Sequence, residues 1–433
     1  MKNNFKTGIS LLILSFLLMN LISCEESTDP GDDDIIVLGA ILPYDNYNGR
    51  YRENAIRTAI DIINTSGGVL NGKTIKLAIR NSYGADRFQS AANAAKDILR
   101  SYNNVVGFIT AYSSSSLGIT TEVSDPEQIP CISGSSLSDT LTGISPYYHR
   151  MVLPDIYQAQ IIADRAERIG IQKVAIAMQV QDLFSNQLAT AFRKEFSGEV
   201  SIVEFGYADQ DYEASINALM SNDPDAVFLS MLNALLGAEF FNAFDYFVDP
   251  GKTANTFFLL SDALYNFDIF QGRAEIIVGE INGWNKNFGA IPSPEPSNPI
   301  YEDFAEKLSE SYEQDVHSYN AQFYDLAFIY ALAIEKAAQS VSLNNIKEFR
   351  KAVNDNIRII SRPDEGDTEV DPTMGWKQMK EIAANSSLDY KGASGECDIN
   401  EDGNTLTTFL VFTAFIDSSR YGFQPLEYLY PKI

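Results

Sequence analysis

The chain has 433 residues, 45% of them hydrophobic, with 32 Lys and Arg against 58 Asp and Glu, for a net charge of -26. That length suits two domains rather than a single core, and so acidic a surface repels phosphate backbones, which argues against nucleic acid as a partner. Only two histidines occur, His149 and His317, which leaves little material for imidazole catalysis or metal binding, and no metal or cofactor is expected.

At the N-terminus, Lys2 and Lys6 precede a short apolar stretch from Ile9 to Met19. This is signal-peptide anatomy, too short to span a membrane comfortably. It ends in LISC, Leu21 to Cys24, which resembles a bacterial lipobox with Cys24 as the acylated first mature residue. Residues 1–23 then read as a lipoprotein signal peptide and 24–34 as an acidic tether. The expected location is the cell envelope, lipid-anchored on the periplasmic face or the outer-membrane surface. Cys131 and Cys397 remain; a disulfide is possible in an exported chain, but two separate buried thiols are the preferred reading.

Ile35 to Leu42 is a continuous, β-branched apolar run and reads as a fully buried strand. A helix follows from Arg52, with Ile56, Ala59, Ile60 and Ile63 at helical spacing, until Ser66–Gly68 stops it. Further strands are expected at 74–80, 104–112 and 130–133, with a helix over 87–100. After Pro154 the alternation restarts, with helices over 155–170, 185–196, 212–220 and 234–244 and strands over 173–180, 200–207, 225–232 and 255–261. A long helix over 319–339 and a C-terminal β-hairpin come later, and Asp364–Asp371 reads as a solvated loop. Such alternation is the pattern of parallel sheets covered by helices on both faces, an α/β fold.

Four consecutive serines, Ser113 to Ser116, sit where the third strand ends and before the helical segment LGITTEV. Open parallel sheets bind ligands beyond the carboxyl ends of their strands. A serine there can simply cap a helix, but one would suffice; several hydroxyls beside free helix N–H groups suit an anion. A second cluster, Ser133 to Thr140, ends the fourth strand and is expected to open another helix. Together they would make a polar shelf along one rim of the sheet.

On these stretches the chain resembles the type I periplasmic solute-binding proteins of ABC transporters, in the leucine/isoleucine/valine-binding group. The carrying residues are VLGAILP, NAIRTAIDIINTSGGVLNGKTIKL, VVGFITAYSSSSLG, IPCISGSSLSDTLT, AQFYDLAFIYALAIEKA and DYKGASGECDINEDGNTL, in that order. The resemblance implies two Rossmann-like lobes joined by three crossovers, near Met151, Gly283 and Thr408, that close on a small ligand by hinge motion. Lobe one would hold residues 35–150 plus 285–407, and lobe two 151–284 plus 408–433. It also implies that Ser114, with Ser113 and Ser115 beside it, meets a ligand carboxylate. Ser135, with Ser136 adjacent, would offer a carbonyl to an ammonium, Phe184 would cover the ligand, and Asp262 would pair with the ammonium. Asp262 could instead cap a helix, and Phe184 could be core. Where that group often has a threonine this chain has Leu137, where it has a tyrosine or small residue it has Leu232, and its first loop, PYDNYNGRYREN, places Tyr44 and Tyr47 to line the pocket. These departures argue against leucine, isoleucine or valine and leave an amino acid, a short amide or another small carboxylate open.

Asp398 to Asn404, DINEDGN, mimics the start of an EF-hand loop, but Phe409 stands at its twelfth position, so a hairpin turn is the better reading. Trp284 and Trp376 read as core or interface residues. The expectation is a monomeric, non-enzymatic solute receptor partnered by an ABC permease, with a sensory lipoprotein of the same fold as the alternative.

Overall fold

Eight apolar residues in a row leave Ile35–Leu42 no wet face, and it forms strand β1, flanked on both sides inside a sheet. The computed structural model describes residues 34–44, 48–206, 212–295, 297–361, 367–418 and 420–431, so the signal segment, Cys24 and Tyr47 lie outside the described residues. The first sheet is parallel throughout, in the order β2-β1-β3-β4-β5, with β2 Thr74–Asn81, β3 Val105–Thr110, β4 Cys131–Ser133 and β5 Tyr148–Arg150. Alternate side chains of β1 serve two cores. Ile36, Leu38, Ala40 and Leu42 pack on helix α1, Asn48–Thr65, through Ala55, Ile56, Ala59 and Ile63. Val37 and Ile41 pack on helix α2, Arg87–Ser101, through Ala91, Ala95 and Ile98. The period of two in the strand and of 3.6 in the helices fixes this three-layer arrangement.

The second sheet runs, in spatial order, Tyr421–Leu429 (β16), Phe409–Ile416 (β15), Asn287–Pro292 (β12), Phe257–Leu260 (β9), Ala226–Ser230 (β8), Lys173–Gln179 (β6) and Glu199–Phe205 (β7). Strands β6 Lys173–Gln179, β7 Glu199–Phe205, β8 Ala226–Ser230 and β9 Phe257–Leu260 are parallel, as is β12 Asn287–Pro292 to β9. The C-terminal hairpin, β15 Phe409–Ile416 and β16 Tyr421–Leu429, adds two antiparallel strands beside β12. Because β12 pairs with β9 and β15, Asn287–Pro292 belongs to this second sheet and not to lobe one. The second passage between lobes therefore falls after Pro292 rather than near Gly283. The first passage follows Arg150 and the third precedes Phe409. Ser293 N–H donates to the Thr408 carbonyl at 2.9 Å, so passages two and three lie side by side.

Arg150 ties the first passage to the third. It is fully buried, and its guanidinium donates to Asn404 Oδ1 at 2.7 Å, to the Ser136 and Ser138 carbonyls at 3.0 and 2.9 Å, and to Thr142 Oγ1 at 2.6 Å. The long helix Asn320–Ala337 is buried along almost its whole length against the first sheet and α1. It approaches so closely that a Cβ on Gly107 would sit 2.3 Å from the Tyr330 ring. No helix among the described residues is long and apolar enough to cross a membrane.

Among the local expectations, the loop reading over 364–371 changes, while the free thiols, the core Trp376 and the late turn hold. Thr368–Val370 is a short strand paired with Leu388–Tyr390, not loop. Cys131 and Cys397 are both free and buried. Trp376 is core, its indole N–H on the Gly68 carbonyl at 2.9 Å, while Trp284 sits half-exposed on a two-residue ribbon. Asp402–Asn404 forms a turn in which Asn400 Oδ1 accepts from the backbone N–H groups of Asp402 and Asn404.

Candidate functional site

The carboxyl ends of the parallel strands in both sheets face one cavity of about 50 Å³. Lobe one supplies Asn48 and Arg52 from the start of α1, Arg87 from the start of α2, Tyr112, Ser113 and Ser114 after β3, and Ser135 and Leu137 after β4. Lobe two supplies Asp182 and Phe184 after β6, Leu232 after β8, and Asp262, Ala263, Tyr265 and Asn266 after β9. Ser318 and Tyr319, just before the long buried helix, complete the lining.

The serine run is itself the start of a helix, α3, Ser113–Ile119, rather than a lead-in to one. Tyr112 takes the N-cap position and makes no side-chain cap, so the capping reading of the serines is not what the structure shows. Ser116 N–H bonds the Tyr112 carbonyl, which leaves the N–H groups of the first turn without an intrahelical acceptor. Helical phase then sorts the hydroxyls. Ser113 and Ser114 reach the cavity, and Ser113 Oγ accepts from the Ser138 N–H at 3.2 Å. Ser115 and Ser116 turn into the body of the lobe. Ser116 Oγ meets Ser136 Oγ at 2.7 Å, and Ser136 also bonds Ser133 Oγ and the Ala111 carbonyl. Ser135 lines the cavity while its hydroxyl donates to the Ala111 carbonyl at 2.9 Å. The second cluster opens only a single 3-10 turn, Asp139–Leu141.

Across the cavity, Asp262 is 5% exposed and follows β9 directly. Its Oδ2 accepts from the Tyr319 hydroxyl, and its Oδ1 is buried with no hydrogen-bond partner. Burial raises its pKa, opposed by the hydrogen bonds to the carboxylate. No ion pair reaches it among the described residues. Asp182 caps the following helix, Leu183–Glu195, through Ser185; burial raises its pKa while the Arg87 guanidinium pulls it back. Arg52 is 6% exposed and lies over the rings of Tyr112, at 5.1 Å, and Phe323, at 5.6 Å. Arg87 lies over Tyr112 at 4.9 Å. One ring therefore carries two guanidinium groups, an attraction that recovers part of a cation's lost hydration.

Ser113, Ser114, Ser135, Phe184 and Asp262 thus meet at one cavity, with Leu137 and Leu232 beside them. Phe184 both lines the cavity and packs in the lobe-two core. Ser115 and Ser136 are buried away from the lining, held by helical phase and by the hydroxyl network. Tyr44 is not in the lining either; its hydroxyl donates to Glu53 Oε2. Tyr47 lies outside the described residues. Arg52, Arg87, Tyr112, Asp182 and Tyr319 were not foreseen. For Arg52 a signal existed: it stands one turn before Ala55 and Ile56 and two before Ala59 on the same buried stripe of α1. Among the described residues, no lining serine hydroxyl is hydrogen-bonded to a carboxylate or imidazole, and no group of three or more His, Cys, Asp or Glu could hold a metal.

Two parallel-sheet lobes, three passages and a cavity between facing carboxyl edges define the class: a two-lobed binding protein of the type I periplasmic fold. Within that class the chain belongs to the receptor family ligand-binding region, whose profile it matches over residues 51–414. Similar solved structures include a leucine-binding protein from Thermotoga maritima, at 21% identity and a TM-score of 0.69, covering 92% of this chain and 99% of that one. A branched-chain amino acid transporter substrate-binding protein from Streptococcus pneumoniae, in complex with isoleucine, aligns at 17% identity and a TM-score of 0.68, covering 90% and 99%. An ABC-transporter solute-binding protein from Rhodopseudomonas palustris, in complex with 3,4-dihydroxybenzoic acid, aligns at 16% and 0.68, covering 92% and 98%. Glutamate receptor 3.4 of Arabidopsis thaliana is 28% identical over 146 residues, 34% of this chain but only 15% of that protein.

Proposed function

We propose that the chain captures a small amino acid or related carboxylate between its lobes and presents it to an ABC permease. The observation that carries this is the pairing of unlike chemistry across one cavity. Hydroxyls and an unsatisfied helix start stand on lobe one, and a buried carboxylate without a cation stands on lobe two. A zwitterion needs its two charges met from opposite sides, and a buried carboxylate needs a cation. Leu137, Leu232, Phe184 and Tyr265 give the rest of the ligand an apolar enclosure. The small cavity suits a ligand of few heavy atoms. Because the ligand touches both lobes, it favours the closed arrangement by its differential affinity. The transport assignment draws support from the similar solute-binding proteins of ABC transporters. Anchoring through an acylated Cys24 belongs to the same proposal.

A thermal-shift screen of the amino acids and small carboxylates tests it. A ligand at a hundredfold excess over its Kd adds about 2.7 kcal/mol to the native state. Asp262→Ala should then weaken an amino-acid ligand by roughly 100-fold or more, since it removes one partner of a buried charge pair; unchanged affinity removes the ammonium assignment. A sensory receptor of the same fold is the second reading, favoured by the receptor family profile and the match to a plant glutamate receptor. Co-purification with a permease and its ATPase separates the two.

A further inference from the structure

Arg52 is a buried cation for which the described residues provide no anion. It is 6% exposed, and its Nη1 is shielded from solvent with no hydrogen-bond partner. No ion pair or hydrogen bond from it is formed among the described residues, and its contacts are the faces of Tyr112 and Phe323. Ring faces attract a cation but do not accept a guanidinium's planar fork of N–H donors. A buried charge left this way is costly unless something pairs with it. Arg52 lines the same cavity as Asp262, yet the two do not pair: Arg52 keeps an unmet donor and Asp262 an unmet acceptor, Oδ1. Tyr112, whose ring carries Arg52, immediately precedes Ser113 and Ser114, so the guanidinium and the hydroxyl shelf border the same end of the cavity.

We propose that Arg52 is the anchor for the ligand's negative group, so that a free carboxylate is obligatory and the corresponding amides and esters are rejected. This rests on the cavity's being the ligand site, and it narrows the ligand beyond that reading. Of the amino acids, carboxylates and short amides the sequence left open, the amides drop out. The binding arrangement is a charge exchange. An ammonium carboxylate set between Arg52 and Asp262 gives each its missing counter-charge, whereas a neutral amide leaves Arg52 unpaired.

The test compares wild type, Arg52→Met, Arg52→Lys and Asp262→Ala by thermal shift and calorimetry. The probes are the twenty L-amino acids, benzoate and acetate, with the carboxamide of every free acid that binds. The expected result is that wild type binds at least one free acid and not its carboxamide. Arg52→Met should weaken that acid by roughly 10- to 100-fold, with no loss of melting temperature in the unliganded protein, and Arg52→Lys should retain part of the affinity. Should Arg52→Met not fold, the lysine variant and the acid–carboxamide comparison on wild type carry the test. A carboxamide that binds as well as its acid, or an Arg52→Met protein within twofold of wild type, overturns the anchor. If Asp262→Ala nevertheless loses the amino acid, the receptor reading stands without it. If only benzoate or acetate binds and Arg52→Met loses it, the anchor stands and the ammonium assignment falls. A wild-type protein that binds none of these acids overturns both.

Discussion

Two of the buried arginines, Arg150 and Arg52, keep very different company. Arg150, at the first passage between lobes, has acceptors for its guanidinium from Asn404, Ser136, Ser138 and Thr142, and its own backbone N–H and carbonyl bond Gly403 and Thr405. Arg52, at the cleft, has ring faces and, among the described residues, no acceptor. Burial and residue type are the same; only the satisfaction of the donors differs. A satisfied buried charge belongs to the frame, because removing it would strand the groups around it. An unsatisfied one belongs to a site, because its partner comes from outside.

The sharpest way to break this contrast is Arg150→Met. It should destabilise the protein by about 3–5 kcal/mol, read as a fall in the urea midpoint at constant m-value; a loss below about 1 kcal/mol would erase the distinction from Arg52. The next effect lies beside it. His149 is fully buried, with Nε2 3.0 Å from Asn354 Oδ1, and burial lowers its pKa from 6.5 to about 4. Below pH 6.5 the unfolded chain takes up a proton that the folded chain refuses until about pH 4. Stability at the hinge is therefore lost as pH falls through that window, by roughly 3 kcal/mol in total. Asp325, pushed up to about 6 by burial, acts in the opposite sense as pH falls, so the measurement is wild type against His149→Gln, where the Asp325 contribution cancels. The smallest effect divides the serines. Ser114→Ala should weaken a carboxylate ligand by about 1–3 kcal/mol and leave the urea midpoint unchanged. Ser136→Ala should cost about 1–2 kcal/mol of stability and leave ligand affinity unchanged. Reversed outcomes would put the hydroxyl network, not the helix start, at the ligand.

Strands with no wet face were legible in the sequence, as Ile35–Leu42 shows, because a continuous apolar run has few other uses. Strand β5, Tyr148–His149–Arg150, was not, since its buried polar groups depend on acceptors hundreds of residues away, such as Asn404 and Asn354. The segment Asn287–Pro292 was missed for a related reason: its proline hides a strand whose partners, β9 and β15, are fixed by tertiary pairing. At the site, chain position placed the serine run at the end of the third strand, but the helical phase that separates Ser114 from Ser115 depends on where α3 begins, and Tyr112 rather than a serine takes its N-cap. Arg52 was within reach of periodicity alone, since a charge on the apolar stripe of α1 needs a reason to be there.

Passages two and three enter lobe two as adjacent antiparallel strands, with Pro292 opposite Phe409 and Ser293 bonded to Thr408, and Arg150 fastens passage one to the chain just before passage three. Three separate linkers would let the halves wobble and shear independently. Fastened together, they act like a leaf spring, which resists twist and shear more than three free linkers would and leaves one shared bend.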